Sequence, residues 1–312
     1  MSHFARALEL AERGRGKVED HPLVGAVVVA GGEVVGEGWY EYASVDHAEA
    51  RALAQAGERA RGATLYVTLE PCAHHGRTPP CTDAVIDAGI ARVVVGALDP
   101  NPVAAGGLEK LRAAGIEVEL LESEDARRQN EAWRTWKALG RPFVTYKAAV
   151  TLDGHVSVPG RRWITGEESR RLVHQLRAAA DAVAVGMGTV RADAPRLDAR
   201  GVGATRQPRR LAFGRGPLPE GSKLELRSGP LEDELRALAA QGVQSLLLEG
   251  GPTLATAFFA ADLVDKLLLF VAPVAGGEGS RFVGDSVRLD LSRFAIRRVG
   301  EDVLMEAYVH QL

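Results

Sequence analysis

The first 140 residues alternate between apolar positions at the helical period and apolar runs typical of strands. Phe4, Ala7 and Ala11 follow the helical spacing until glycines interrupt it, which predicts a helix over residues 3–14. Two apolar segments joined by Gly31 and Gly32 predict a β-hairpin. Alternating strands and helices predict a layered α/β domain. Its strands are predicted at 24–30, 33–39, 63–69, 91–97 and 116–120, and its further helices just after His47, from Cys81, at 107–114 and at 124–139.

The pattern breaks after Gly140, where Arg141-Pro142 cannot continue the preceding helix. We place a domain boundary there, which gives domains at 1–140 and 141–312. The second domain again mixes buried strands with helices and is also predicted to be α/β. Its strands are predicted at 143–150, 181–187, 210–213, 244–248, 266–271 and 303–310, and its helices at 166–180, 232–240 and 253–260.

Length and composition agree with two folded domains. A chain of 312 residues exceeds one ordinary hydrophobic core, and 46% hydrophobic with 25% charged residues is the usual balance of a globular protein. No apolar stretch has the length of a signal core or a membrane span, so we expect a cytoplasmic protein without a membrane partner.

Charge is divided unevenly between the halves. Residues 1–140 carry 15 Lys/Arg and 21 Asp/Glu, whereas residues 141–312 carry 23 and 20. A nucleic-acid partner requires a basic face, so the acidic first half argues against one. The mildly basic second half is better suited to phosphorylated small molecules.

The first half contains residues suited to a catalytic zinc ion. His47, Cys72 and Cys81 can occupy three corners of a tetrahedral site and leave the fourth for a reactive water. Glu49 follows the histidine by two residues, as in zinc deaminases, where this carboxylate moves protons without binding the metal. Eight residues separate the cysteines here, whereas the nucleobase deaminases have two. The alternatives are inert buried thiols, a disulfide, or a zinc site that only stabilises the fold.

A glycine-rich segment of the second half joins a predicted strand to a predicted helix. It reads LLLEGGPT from Leu246 to Thr253. Free N–H groups and the helix dipole at such a junction favour the binding of a phosphate. A glycine-rich turn that binds no ligand is the alternative interpretation of the same sequence. Gly186-Met-Gly188 lacks the third glycine of a dinucleotide-binding fingerprint, so a Rossmann domain is not predicted.

The letters HAE at 47–49 and EPCAHHGRTPPC at 70–81 resemble the deaminase half of the bifunctional riboflavin-biosynthesis deaminase/reductase family. The resemblance implies a cytidine-deaminase-like three-layer domain that holds Zn2+ and removes ammonia from a phosphoribosylated diaminopyrimidinone, with Glu49 as the catalytic carboxylate. It also implies substrate contacts from four residues, two of which fit a simple turn equally well. These four are His75, Arg77, Asp99 and Asn101. His21 stands where the family usually has Asn, and histidine can also donate a hydrogen bond.

Matches in the same order continue through the second half, from Lys147 to the letters EGGPTL at 249–254. They imply a dihydrofolate-reductase-like domain that uses NADPH to reduce the ribosyl group to a ribityl chain, with Lys147 as a catalytic cation near the reacting carbon. The implied cofactor-binding residues are Ala149, Trp163, Thr189, Asp193, Gly251, Pro252, Thr253, Leu254, Ala255, Thr256 and Ala257, together with Arg215 at the extra phosphate of NADPH. The implied substrate-binding residues are Arg161, Arg177, Leu197, Arg200 and Glu249.

The second half departs from the family pattern at several positions. Asp193-Ala-Pro195 and Leu197-Asp-Ala-Arg200 replace the usual Asp-Asp-Pro and Leu-Thr-Val-Arg. We expect a homo-oligomeric enzyme that deaminates 2,5-diamino-6-(5-phosphoribosylamino)pyrimidin-4-one and then reduces the product. One alternative is a deaminase whose second domain only binds a nucleotide or scaffolds a partner, and another is a nucleic-acid base editor.

Overall fold

The structure, a computed structural model, describes residues 2–310. Contacts between residues divide the chain into two compact units, a first unit up to Leu139 and a second unit from Gly140. Across residues 2–310, no helix combines the length and the apolar character needed to cross a bilayer.

The first unit is a five-stranded sheet with helices packed on it. Its strands are β1 Gly25–Ala30, β2 Glu33–Trp39, β3 Thr64–Val67, β4 Arg92–Val95 and β5 Glu117–Leu120. Its first helices are α1 His3–Glu12, α2 Ala48–Ala56, α3 Cys81–Asp87 and α4 Gly107–Ala113. The strand order is β2-β1-β3-β4-β5, with β1 antiparallel to both neighbours and β3, β4 and β5 parallel. The predicted hairpin and the alternation of strands with helices are therefore confirmed.

Gly36 and Gly38 allow helix α2 to lie directly against strand β2. A Cβ atom at either position would come 2.0 Å from a backbone oxygen of the helix, that of Ala52 for Gly36 and that of Ala48 for Gly38. No side chain fits this approach, so the two elements contact backbone to backbone. The packing fixes the N-terminus of α2, which begins directly after His47.

The prediction of one continuous helix over 124–139 is wrong. The segment forms α5 (Glu124–Gln129) and α6 (Glu131–Leu139), which are separated at Asn130. The buried Asn130 side chain accepts the N–H of Leu23 at 2.8 Å and donates to the Leu23 carbonyl at 2.8 Å. These bonds hold Asn130 at φ −113° and ψ 19°, outside the helical range, so the helix cannot continue through it.

The second unit is built on an eight-stranded mixed sheet. Its strands are β6 Phe143–Val150, β7 His155–Ser157, β8 Ala182–Gly186, β9 Arg209–Phe213, β10 Glu225–Arg227, β11 Ser245–Leu248, β12 Lys266–Val271, β13 Glu278–Arg281, β14 Ser292–Val299 and β15 Asp302–Tyr308. Its helices are α7 Glu167–Ala179, α8 Met187–Asp193, α9 Leu231–Ala240 and α10 Pro252–Ala260. The strand order is β10-β9-β8-β11-β6-β12-β15-β14, while β7 and β13 form a separate pair. Strands β6, β8 and β11 are parallel neighbours, so their carboxyl ends meet at one edge.

Several elements of the second unit escaped prediction. The strand predicted at 181–187 ends at Gly186, and helix α8 begins at Met187. Strands β7, β10 and β13 have only three or four residues, too few to establish a period. Strand β14 lies at the edge of the sheet and exposes five consecutive residues, so it lacks the alternation of apolar and polar positions that identifies a half-buried strand.

Candidate active sites

Three potential metal ligands converge in the first unit. His47 precedes α2, Cys72 lies in the loop after β3, and Cys81 is the first residue of α3. His47 Nδ1 lies 3.7 Å from Cys72 Sγ and 3.2 Å from Cys81 Sγ, and the three donor atoms all fall within 4.8 Å of one another. One imidazole and two thiols at these separations form a ligand set for Zn2+. The structure brings together the three residues predicted to bind zinc.

Both cysteines are buried and free, which rules out the disulfide alternative. The backbone N–H of Cys81 donates to Cys72 Sγ at 3.3 Å. A hydrogen bond from the Cys81 thiol and a further one from His47 lower the pKa of Cys72 to about 4. The same hydrogen bond and burial raise the pKa of Cys81. Cys72 is therefore held as a thiolate, the form that binds zinc.

Glu49 lies in the first turn of α2 and is 3% exposed. Burial raises the pKa of its carboxyl to about 7, against the opposing effect of the nearby His47. Its carboxylate is not one of the donor atoms that converge within residues 2–310. Glu49 is thus a buried carboxyl beside the ligand set, which is where a group that moves protons is required.

His47, Cys72 and Glu49 line a cavity of the first unit, about 1020 Å³ in volume with its open mouth included. Arg77, Asp99 and Asn101, three of the predicted substrate contacts, line the same cavity. His75 is exposed and does not line it, whereas the neighbouring His74 does. Residues that the sequence analysis did not select also form its walls. They are Tyr40, Glu70, Trp133 and Lys137.

The segment around Asp99 is a turn closed by its own side chains. Asp99 Oδ1 accepts the N–H of Asn101 at 2.7 Å, and Asn101 Oδ1 accepts the N–H of Val103 at 3.3 Å. Glu70 accepts the N–H groups of Asp99 and Leu108, each at 3.2 Å. Burial raises the pKa of Asp99 to about 6. The turn interpretation therefore holds, and the same side chains are also available to a molecule in the cavity.

A buried ion network connects two strands and a helix of the second unit. Lys147 lies on β6, and its Nζ is 4.0 Å from Oε2 of Glu249, which follows β11. Arg177 of α7 donates from Nε and Nη2 to the two oxygens of Glu249 at 2.6 and 2.9 Å. Burial lowers the pKa of Lys147. Burial acts to raise the pKa of Glu249, but the hydrogen bonds from Arg177 together with the charges of Lys147 and Arg177 lower it overall. The Nε–Nη2 edge of the Arg177 guanidinium, which can bind an anion through two parallel hydrogen bonds, is thus occupied by Glu249.

Asp198 is a second point where basic side chains converge. Its carboxylate pairs with Arg200 and, at 2.8 Å, with Arg196. Its carbonyl oxygen lies 2.9 Å from His174 Nδ1 and accepts a hydrogen bond from Arg177 at 3.3 Å. Asp198 is one of the departures from the family pattern, and in this chain it forms an ion pair with Arg200, one of the residues predicted to bind the substrate.

The N-termini of α8 and α10 lie side by side at the carboxyl ends of β8 and β11. A Cβ atom at Gly251 would meet Thr189 Oγ1 at 3.5 Å, and one at Gly186 would meet the Leu254 side chain at 3.4 Å. Neither helix has a side-chain cap among the described residues, and Pro252, the first residue of α10, has no N–H. The other N–H groups of the two first turns have no side-chain cap and suit an anion.

The other residues predicted for the reductase site differ in exposure. Trp163 is 54% exposed and has the guanidinium groups of Arg162 and Arg170 over its ring at 5.2 and 5.7 Å. Thr256 accepts the N–H of Gly284 at 2.7 Å. Leu197 and Ala255 are buried in hydrophobic clusters, and Ala149 and Pro252 are partly buried. A further five residues are exposed, and these are Arg161, Asp193, Arg215, Thr253 and Ala257.

Both halves of the chain match known protein families. Residues 1–97 match the cytidine and deoxycytidylate deaminase zinc-binding region, and residues 142–305 match the RibD C-terminal domain. The riboflavin biosynthesis protein RibD of Aquifex aeolicus is 41% identical over 97% of both chains, and that of Escherichia coli is 38% identical over 97% of both chains.

Solved structures agree with these relatives. Acinetobacter baumannii RibD has a TM-score of 0.84 at 34% identity and covers 99% of this chain and 98% of its own. A Thermotoga maritima protein described as a diaminohydroxyphosphoribosylaminopyrimidine deaminase/5-amino-6-(5-phosphoribosylamino)uracil reductase has a TM-score of 0.83 at 34% identity and covers 98% of this chain and 97% of its own. The predicted family and fold class are confirmed, with the second unit matching the domain for which a dihydrofolate-reductase-like fold was expected. The chain therefore belongs to the RibD family of bifunctional riboflavin-biosynthesis enzymes, which combine a deaminase with a reductase.

Proposed function

We propose that the first domain, residues 1–140, removes ammonia from 2,5-diamino-6-(5-phosphoribosylamino)pyrimidin-4-one. The convergence of His47, Cys72 and Cys81 beside the buried Glu49 carries this proposal. These three residues would hold Zn2+, which would supply an acidified water as the nucleophile. The description of the Thermotoga maritima relative supports this substrate.

Glu49 moves the protons of the reaction. It takes one proton from the attacking water and gives it to the ring nitrogen, then takes the remaining proton of the new hydroxyl and gives it to the leaving amine. The ring carbon gains a C–O bond and loses its C–N bond, so that ammonia and a uracil derivative are released. Arg77, Asp99 and Asn101 orient the substrate from the cavity wall.

We propose that the second domain, residues 141–312, reduces 5-amino-6-(5-phosphoribosylamino)uracil. Bound NADPH would supply the hydride for C1′ of the sugar in its opened imine form, and the imine nitrogen would take a proton, which would leave a ribityl chain and NADP+. Lys147 stabilises the reacting end from its buried position beside Glu249. Arg161, Arg177, Leu197 and Arg200 complete the substrate site.

The paired helix N-termini support the assignment of the cofactor. Thr189 and the segment 251–257 surround these N-termini, where free N–H groups suit the pyrophosphate. Trp163 offers an exposed aromatic face, and Ala149 and Asp193 complete the contacts. Arg215 is exposed, and its guanidinium suits the extra phosphate of NADPH.

Both activities can be tested in one assay. We expect zinc-loaded wild-type protein to release ammonia from the diaminopyrimidinone ribosylphosphate and then to consume NADPH, which is followed by absorbance. The nucleotide-binding or scaffolding alternative instead predicts NADPH binding without consumption, even when the deaminated intermediate is supplied. The base-editor alternative predicts tight, salt-sensitive RNA binding.

We also propose that the protein is a homo-oligomer that uses the exposed face of strand β14. Phe294 and Ile296 are 52% and 60% exposed on this edge strand, next to the partly exposed Val303 of β15. An apolar face at a sheet edge is a typical subunit contact. In light scattering, we expect Phe294→Ser combined with Ile296→Ser to reduce the mass to that of a monomer. Val103→Ser, at a 68% exposed position of the first unit, should leave the mass unchanged, and a monomeric wild type would contradict the proposal.

A further inference from the structure

Tyr40 is a buried wall residue of the deaminase cavity to which the sequence analysis gave no role. It follows β2, is 5% exposed and lines the cavity. Its ring meets the ring of His47 edge to face, with centroids 5.5 Å apart and planes at 83°. The ring of His21, another residue of the cavity wall, lies 5.3 Å from it. Tyr40 therefore belongs to the part of the wall that adjoins the metal ligands.

The Tyr40 hydroxyl has no hydrogen-bond partner among residues 2–310. The hydrogen bonds of this residue within that range involve its backbone, as in the bond from its N–H to the carbonyl of Val24 at 3.0 Å. The comparably buried Tyr146 of the second unit, by contrast, donates its hydroxyl proton to the carbonyl of Phe282. Buried tyrosine hydroxyls normally find a partner, because an unpaired one loses its hydration without compensation. The Tyr40 hydroxyl is not one of the enclosed, unpaired polar atoms of residues 2–310, so it is open to the cavity that Tyr40 lines and is available to a molecule bound there.

The distribution of charge in the cavity indicates which part of the substrate is near Tyr40. Arg77 and Lys137 are exposed cationic residues of the wall, which suits the ribosylphosphate near the mouth. The pyrimidine ring has to reach the metal ligands for its amino group to be displaced, and Tyr40 is in ring contact with one of these ligands. A neutral phenol can donate to a ring carbonyl or accept from a ring amine.

We propose that the Tyr40 hydroxyl hydrogen-bonds the polar edge of the pyrimidine ring and holds it at the metal centre. This role rests on the proposed deaminase function and adds a ring-binding residue to it. Tyr40 forms and breaks no covalent bond in the reaction. Its contact is present before and during the chemical step, so its loss should appear mainly in KM.

The test compares Tyr40→Phe with Tyr42→Phe in zinc-loaded full-length protein, with ammonia release as the readout. Both changes remove one hydroxyl from the same segment. Tyr42 is outside the cavity wall, and phenylalanine keeps the ring over which the Arg77 guanidinium lies at 4.6 Å. We expect Tyr40→Phe to lower kcat/KM about three- to tenfold, mainly through KM, as for one lost hydrogen bond. Tyr42→Phe should stay within about twofold of wild type, and both variants should keep their zinc content and melting temperature.

The outcomes separate this inference from the function on which it rests. A kcat/KM for Tyr40→Phe within about twofold of wild type would overturn the role of Tyr40 while wild-type ammonia release still supports the deaminase. An equal loss in Tyr42→Phe would also overturn it, because the effect would then not depend on the cavity. Absence of ammonia release by the wild type would instead reject the deaminase proposal.

Discussion

Replacing Glu49 with glutamine should leave zinc bound and lower the rate of ammonia release about 10²- to 10⁴-fold. Glutamine keeps the shape of the side chain but cannot accept the proton of the attacking water or return it to the leaving amine, and general acid–base catalysis typically contributes a factor of this size. Glu49 is 3% exposed in the first turn of α2, so bulk water has little access to replace it. The measurement is kcat for ammonia release, with metal content determined on the same sample.

Asp46→Asn provides the matched control for this change. It removes a carboxylate next to His47 on the other side, at an exposed position that does not line the cavity. We expect its rate to stay within about twofold of wild type, because exposed charges interact weakly. The Glu49→Gln protein should still consume NADPH when the deaminated intermediate is supplied. Ammonia release by Glu49→Gln near the wild-type rate would favour the alternative of a zinc site that only stabilises the fold.

The metal ligands could be predicted from the sequence because their spacing is local. His47 and Glu49 share the start of one helix, and the two cysteines lie in a single loop that leads into α3. The glycine-rich segment could be predicted for the same reason, because it directly joins the strand that ends at Leu248 to the helix that begins at Pro252. In each case the chemistry depends on residues that a short stretch of chain brings together.

The walls of the deaminase cavity could not be predicted in the same way. Tyr40 and Trp133 are aromatic residues in segments far apart in sequence, and in the linear pattern each is indistinguishable from a core residue. The choice between His74 and His75 depends on the path of an irregular loop, which periodicity does not describe. Asn130 breaks a helix because of its bonds with Leu23, 107 residues away. These features depend on tertiary contacts.

In the second unit, the departure from the family pattern at Asp198 has an electrostatic consequence. Asp198 appears in the sequence only as a replacement for threonine. In the structure its carboxylate pairs with Arg196 and Arg200, two arginines beside the proposed substrate site. A substrate phosphate would have to compete with this carboxylate for Arg200. The consequence of the replacement is therefore electrostatic, and it could not be judged without knowing which side chains are neighbours.

Replacing Cys81 with serine should abolish stoichiometric zinc binding and lower ammonia release more than about 100-fold. Changes to groups that only support metal ligands already cost about 10- to 100-fold in affinity or activity, and loss of a ligand removes more. A serine hydroxyl stays protonated near neutral pH, whereas the cysteine can bind as a thiolate. The measurements are zinc content and the rate of ammonia release, with NADPH consumption from the deaminated intermediate recorded in parallel.

The reductase reaction shows whether the second unit of the Cys81→Ser protein still works after the first unit has lost its metal. We expect Cys81→Ser to consume NADPH from the deaminated intermediate at a rate close to wild type, because its substitution lies in the other unit. Wild-type protein stripped by a chelator should show the same pair of results and recover ammonia release when zinc is returned. Stoichiometric zinc and full deamination in Cys81→Ser would show that Cys81 is not a ligand. The assignment of the metal site would then have to exclude Cys81, even though its Sγ lies 3.2 Å from His47 Nδ1.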